Sequence, residues 1–430
     1  MQAIKLIFAG LAVSASLSLG VAAQSAADFA KSREFETKAL ASYKAGDFPA
    51  FLENVKQAGL LRPNHPRLIY NLAAAYALNG KVDEALAVIK RMAGMGLYFQ
   101  LEKDDDFKSL GPEKLAAVAR LFEQNRRPVN SSARAFTLGD KELIPESIAF
   151  DPVTGRFYIG SIHKAKIVMV DRDGTAGDFS APADGLWSVS GMKVDAKRRF
   201  LWACTTAFPQ MKDFDPANKG RSGIVKYDLA TGRLLKRYLL PAGENHALGD
   251  LAVDRRGNVF ATDSVAPNVY RIAAQKDELE VFANDPAFAS LQGLAFTKDE
   301  KVLFVADYSK GIFRIETASK KIIQIVPSED VTLLGIDGLY FSGGTLIAIQ
   351  NGIDPQRVAA IALDRGQTRA SALKVLEANN PDFNEPTLGV TIGSELYFIA
   401  NSQWPLADEN GALETGKLKE PVVLKLRPKL

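Results

Sequence analysis

Two periodicities divide the chain. Over residues 32–110 apolar positions recur every three to four residues, so that Ile69, Leu72, Ala73 and Tyr76 share a face and Gly80 stops the run. A second run then carries Val88, Ile89 and Met92 inward. That spacing predicts paired helices. From about residue 134 the apolar positions alternate instead, in short runs separated by Asp, Asn, Pro and Gly, which predicts β-hairpins. The stretch between, residues 126–133, holds Arg126, Arg127, Pro128 and a run of Asn and Ser, and reads as a linker.

The β part repeats itself. Ile144-Pro145-Glu146-Ser147-Ile148-Ala149-Phe150-Asp151 followed by a turn and a second strand returns at Leu248, at Gln292 and at Asp337. Alignment of these hairpin openers places Glu146, Ser190, Gly249, Gln292, Asp337 and Thr387 at equivalent positions, separated by 44, 59, 43, 45 and 50 residues. Six units, each long enough for four strands, predict a six-bladed β-propeller, in which radial closure removes exposed sheet edges. The wide second interval holds an insertion, residues 207–223. The sixth unit is a strand short, and residues 134–138 can supply it. The fold class expected is α plus all-β, a short helical domain over residues 24–125 and a propeller over residues 134–430.

In a propeller the first strand of each blade lines the central channel, and the second returns to the face where the first began. The openers therefore gather at one mouth, with the second-strand ends Asp263, Asp307, Asn351 and Asn401. Asx side chains at strand ends commonly satisfy turn backbone, and that reading competes with any ligand role for Asn351 and Asn401. Glu146, Gln292 and Asp337 offer two carboxylates and an amide oxygen, a hard-oxygen set suited to Ca2+ or Mg2+, and less selectively to Zn2+ or Mn2+. Unpaired, the carboxylates would repel and one would hold a proton. Asp250, His163 and His246 stand near enough to strand ends to reach the mouth, with Asn351 and Asn401, as candidate substrate contacts.

Resemblances sharpen this picture. The helical run, with Asn71-Leu72, Ala75-Tyr76, Gly80 and Asp83-Glu84-Ala85 and with Gly46 lying 34 residues before Gly80, resembles the tetratricopeptide-repeat family. Such arms bind peptides, so the resemblance implies a possible protein partner; packing on the propeller is the competing role. Glu146 before an apolar triplet, Gln292-Gly293-Leu294-Ala295-Phe296 and Asp337-Gly338-Leu339-Tyr340-Phe341 resemble the metal-binding strand starts of the regucalcin and gluconolactonase family. That resemblance implies a divalent metal, Ca2+ or Zn2+, held by Glu146, Gln292 and Asp337, and lactone hydrolysis with Asp337 as the catalytic base. Two departures stand out: Gln292 replaces the family's asparagine, and His246-Ala247-Leu248-Gly249-Asp250 lacks the asparagine that binds sugar.

Composition narrows the partners. Lys and Arg number 53 against 50 Asp and Glu, a formal net charge of +3, which argues against nucleic acid or an anionic membrane. Residues 1–23, with Lys5, an apolar run and Val21-Ala22-Ala23, read as a cleaved signal peptide, so a periplasmic or secreted protein without a membrane span is expected. The single cysteine, Cys204, lies in an apolar strand and is assigned packing. Two functions remain: a metal-dependent lactonase or esterase taking a small-molecule substrate at the mouth, or a non-catalytic propeller that binds a ligand or protein.

Overall fold

A computed structural model describes residues 25–408 and 410–430. The expected signal peptide lies outside the described residues.

Among the described residues five α-helices come first: α1 (Ala26–Lys44), α2 (Phe48–Leu61), α3 (Pro66–Leu78), α4 (Val82–Gly94) and α5 (Gly111–Asn125). Ser25 and Asp28 form a reciprocal cap at the start of α1, and the Asp47 side chain accepts from the Ala50 N–H at the start of α2. Gly46 and Gly80, which end α1 and α3, both hold φ near the left-handed region, at 72° and 70°. That conformation stops a helix without a Cβ penalty. Ile89, Met92, Leu97, Phe107 and Phe122 fill the arm's core, each at most 1% exposed. The acidic triplet caps a short 3-10 turn, Asp105–Leu110, where Asp104 accepts from the Asp106 N–H.

Among the described residues six sheets follow, antiparallel but for the short outer strand Val326–Pro327, which pairs parallel with Arg369–Ala378 in the fifth; each has its first strand at the channel: Pro145–Asp151, Ser188–Asp195, Leu248–Val253, Leu291–Phe296, Ile336–Ser342 and Gly389–Ile392. The strand Ser132–Thr137 pairs with Val422–Leu426 and closes the ring as the outer strand of the sixth blade. The hydrophobic core is divided into wedges between neighbouring blades. Trp202, Cys204 and Ile224 of blade two meet Leu248, Val259 and Tyr270 of blade three, and Ile399 and Val423 of blade six meet Ile148 and Ile159 of blade one. Each fully buried aliphatic side chain contributes about 1.5–3 kcal/mol, so the ring is closed by packing as well as by strand pairing. Cys204 lies within such a wedge, fully buried, with burial pushing its thiol far above the ordinary range.

The arm is docked on blade five and on the segment leading into it. Arg357, 1% exposed, donates to Gln350 Oε1 at 2.8 Å and to the Met95 carbonyl at 3.1 Å. Asn64 Nδ2 donates to the carbonyls of Ser328 and Val331, both at 2.8 Å, and Asn379 Nδ2 to that of Asn125 at 2.9 Å. These bonds satisfy backbone groups at helix ends and loop turns, where partners are otherwise missing.

Candidate functional site

In five of the six first strands the ladder register slips just where the opener stands. The shift falls between Pro145 and Ser147, Val189 and Met192, Leu248 and Leu251, Leu291 and Leu294, and Ile336 and Gly338. A bulge leaves its extra residue unpaired and re-aims the side chain, so the openers turn into the channel. In three blades the residue two before the opener is left-handed: Ile144 at φ 43°, Gly335 at 66° and Glu385 at 65°. Gly293 is required by crowding, since a Cβ there would lie 2.5 Å from the Asp337 carbonyl.

The result is a cavity of about 250 Å³ at the channel mouth, walled by Glu146, Ser190, Asp250, Gln292, Asp337 and Glu385, with Tyr308 and Asn351 at one side. Phe208, from the blade-two insertion, and Trp404 pack edge to face across the rim with ring centres 5.6 Å apart.

At the centre the Thr387 hydroxyl lies 2.8 Å from Glu146 Oε1 and 2.7 Å from Asp337 Oδ2. One hydroxyl has one proton to donate, so two ionised carboxylates cannot both be satisfied by it. Either one carboxyl is protonated and donates to the Thr387 oxygen, or a cation shares the pair. Asn351 Nδ2 donates to Asp337 Oδ2 at 2.9 Å, and Ser402 Oγ donates to Glu146 Oε2 at 3.3 Å. Burial, then the charge of Asp337, pushes the Glu146 carboxyl well above its ordinary value. Burial outweighs the hydrogen bonds from Thr387 and Asn351 and brings Asp337 up to about 6. Glu385 rises to about 7 through burial and the charge of Asp337. Its Oε2 is buried without a hydrogen-bond partner.

Of the residues singled out in the sequence, Glu146, Gln292, Asp337, Asp250 and Asn351 come together in this wall. Gln292 turns its amide nitrogen towards Ser290 Oγ, 3.5 Å away. Asp250 Oδ1 lies 3.5 Å from Lys193 Nζ and accepts from the Leu251 N–H, while Oδ2 has no partner. Three candidates lie elsewhere. His163 is buried with Nδ1 against the Gln210 carbonyl at 2.8 Å, held by the insertion and away from the mouth. His246 Nδ1 is bound to Asp263 Oδ2 at 2.7 Å outside the cavity. Asn401 serves backbone, donating to the Glu420 carbonyl and accepting from the Val422 N–H. Glu385 was missed in the sequence. Its signal was a glutamate before Pro386, two residues ahead of the sixth opener.

Among the described residues no three Asp, Glu, His or Cys side chains stand in metal-ligating geometry. The donor chemistry nevertheless fits a hard divalent cation: two carboxylates share one hydroxyl proton, and an orphaned third carboxyl oxygen lies in the same wall. Also among the described residues, no helix is long and apolar enough to cross a membrane.

No family model matches the chain, and no curated protein matches it. Solved structures do. A gluconolactonase from Xanthomonas campestris is 16% identical with a TM-score of 0.47, covering 70% of this chain and 91% of its own. A calcium-binding protein, regucalcin, from Agrobacterium tumefaciens is 13% identical with a TM-score of 0.48, over 69% and 96%. A virginiamycin B lyase from Staphylococcus aureus is 15% identical with a TM-score of 0.44, over 69% and 88%.

Proposed function

We propose that the protein is an exported hydrolase of the lactonase or esterase type, with its reaction centre at the channel mouth. The observation that carries this reading is the Thr387 hydroxyl held between Glu146 and Asp337, which makes the pair hold either a shared proton or a cation. A base beside a proton source, in a small cavity with an aromatic rim, is what addition of water to a carbonyl requires.

Glu146 and Asp337, with the amide oxygen of Gln292, would hold a divalent cation, Ca2+ or Zn2+ before Mg2+ or Mn2+. When bound, such an ion would polarise the substrate carbonyl and offset developing negative charge. The chain's own groups do the rest. Asp337, oriented by Asn351 and Thr387, takes a proton from the attacking water as the water oxygen bonds to the carbonyl carbon. Collapse of the adduct breaks the acyl C–O bond, and the protonated carboxyl of Glu385 gives its proton to the departing oxygen. Phe208 and Trp404 limit water at the rim.

The test is a panel of aliphatic and aromatic lactones and aryl esters, assayed with the metal-stripped protein before and after addition of each cation. Turnover that falls by about 100-fold or more in Asp337→Asn, with the circular dichroism spectrum kept, is expected. Absence of turnover in the wild type with every cation would sink the reaction and leave a ligand-binding propeller.

A further inference from the structure

A second, larger cavity lies where the arm meets the propeller. Its volume is about 940 Å³, and its wall is built by both parts: His65, Arg67, Phe99 and Lys103 from the arm, Tyr308 and Ile353 from the propeller. That size suits a ring-bearing organic ligand, since small-molecule sites occupy roughly 300–1,000 Å³. This cleft and the carboxylate cavity share Tyr308 as a wall residue.

The charges of the cleft are unevenly satisfied. Asp104 accepts hydrogen bonds from the Tyr70 hydroxyl and the Asp106 N–H, Asp105 is 3.0 Å from Lys108 Nζ, and burial pushes the Asp354 carboxyl up against the smaller, opposing effect of Arg126. Among the described residues the exposed side chains of Arg67 and Lys103 have no hydrogen-bond or ion-pair partner. Arg67 belongs to the first turn of α3, a turn with no side-chain cap, so its backbone N–H groups add to the positive field. His65 Nδ1 is buried there with no partner. Opposite, beyond Tyr308, the four carboxyl side chains of Glu146, Asp250, Asp337 and Glu385 wall the mouth. An anionic group is thus attracted to the arm and repelled from the mouth.

We propose that this cleft binds an organic anion with an aromatic or alicyclic body, its carboxylate held by Arg67 and Lys103 at the start of α3 and its ring between Phe99, Tyr308 and Ile353. The bound molecule lies with its uncharged end towards Tyr308 and the mouth. That last placement rests on the hydrolase reading; the anion site does not. The arm is on this account a wall of the ligand site.

The experiment is calorimetric titration of the protein with 1-naphthoate and with neutral 1-naphthamide, on the wild type, Arg67→Gln/Lys103→Gln and Asp337→Asn. One saturable naphthoate site is expected, weakened roughly tenfold in the double variant, weaker for the amide in the wild type, and unchanged in Asp337→Asn. Both substituted cations are exposed, so circular dichroism and a thermal melt should match the wild type. No saturable naphthoate heat, a change of less than about twofold in the double variant, or equal binding of the amide would overturn the proposal. A change of more than about twofold in Asp337→Asn alone, in either direction, would place the probe at the mouth and overturn it as well. The titration needs no turnover, so a failed lactone panel leaves its result readable.

Discussion

Tyr308 donates its hydroxyl to Asn351 Oδ1 over 3.0 Å, and this bond fixes which way the Asn351 amide faces. With its oxygen engaged by Tyr308, Asn351 presents Nδ2 to Asp337 at 2.9 Å. Burial, with the nearby Asp337, Glu385 and Glu146 charges, pushes the phenol above its ordinary range, so Tyr308 stays a donor at neutral pH. Tyr308→Phe keeps the ring and frees the amide to flip. A stability loss of about 1 kcal/mol in urea melts is expected, with lactone or ester turnover reduced about tenfold. Unchanged turnover would show that Asn351 needs no such support.

Two carboxylates around one hydroxyl are held together against their repulsion. Asp337→Asn removes one charge while keeping the shape, and its amide can donate to a neighbouring carboxylate. We expect the variant, assayed in chelator, to be more stable than the wild type by about 1–2 kcal/mol in guanidinium melts while losing turnover. A less stable variant would mean that the hydrogen bonds from Thr387 and Asn351 to Asp337 outweigh the cost of burying its carboxyl.

Arg357 is the buried pin between arm and propeller. Burial lowers its pKa to about 10, so it remains charged at neutral pH, and the Gln350 oxygen and the Met95 carbonyl compensate it. Arg357→Met leaves both acceptors without a donor and should cost about 3 kcal/mol. Limited proteolysis within residues 126–131 should accelerate if this pin holds the arm down. Unchanged cleavage would assign docking to the Asn64 and Asn379 contacts.

Asp151 is fully buried and meets Arg199 through two hydrogen bonds, at 2.6 and 2.7 Å. Burial raises its pKa, but Arg199, Thr154 and the Val153 N–H outweigh this and bring it to about 2, below the ordinary 3.8. A carboxylate depressed in the folded state stabilises it fully above about pH 4, and the contribution is lost as pH falls through about 2. Arg199→Gln should therefore cost on the order of 2 kcal/mol at pH 7 and much less at pH 2, read from urea melts at both. An equal cost at both pH values would assign the effect to packing.

The ring was legible because propeller geometry repeats in sequence. Each opener precedes an apolar strand, and the spacing of the openers counted the blades. The same logic brought Glu146, Gln292 and Asp337 to one mouth, since equivalent positions of first strands share a face. Asn401 and Asp307 bind backbone, as Asx side chains at strand ends commonly do, whereas Asn351 turns to Asp337.

Sequence by itself determined the paired helices, the six blades, the closing strand and the residues at the bulge positions, because these follow from local periodicity and turn chemistry. Tertiary structure alone decided what those residues touch. Thr387 meets Glu146 across 241 positions of chain, and Arg357 meets Met95 across 262. Glu385 joins the carboxylates only because a left-handed residue redirects the chain before Pro386. His163 and His246 were captured by a carbonyl and a carboxylate before they could reach the mouth. The cleft between arm and propeller has no sequence signature, because it exists only where two independently patterned surfaces are brought face to face.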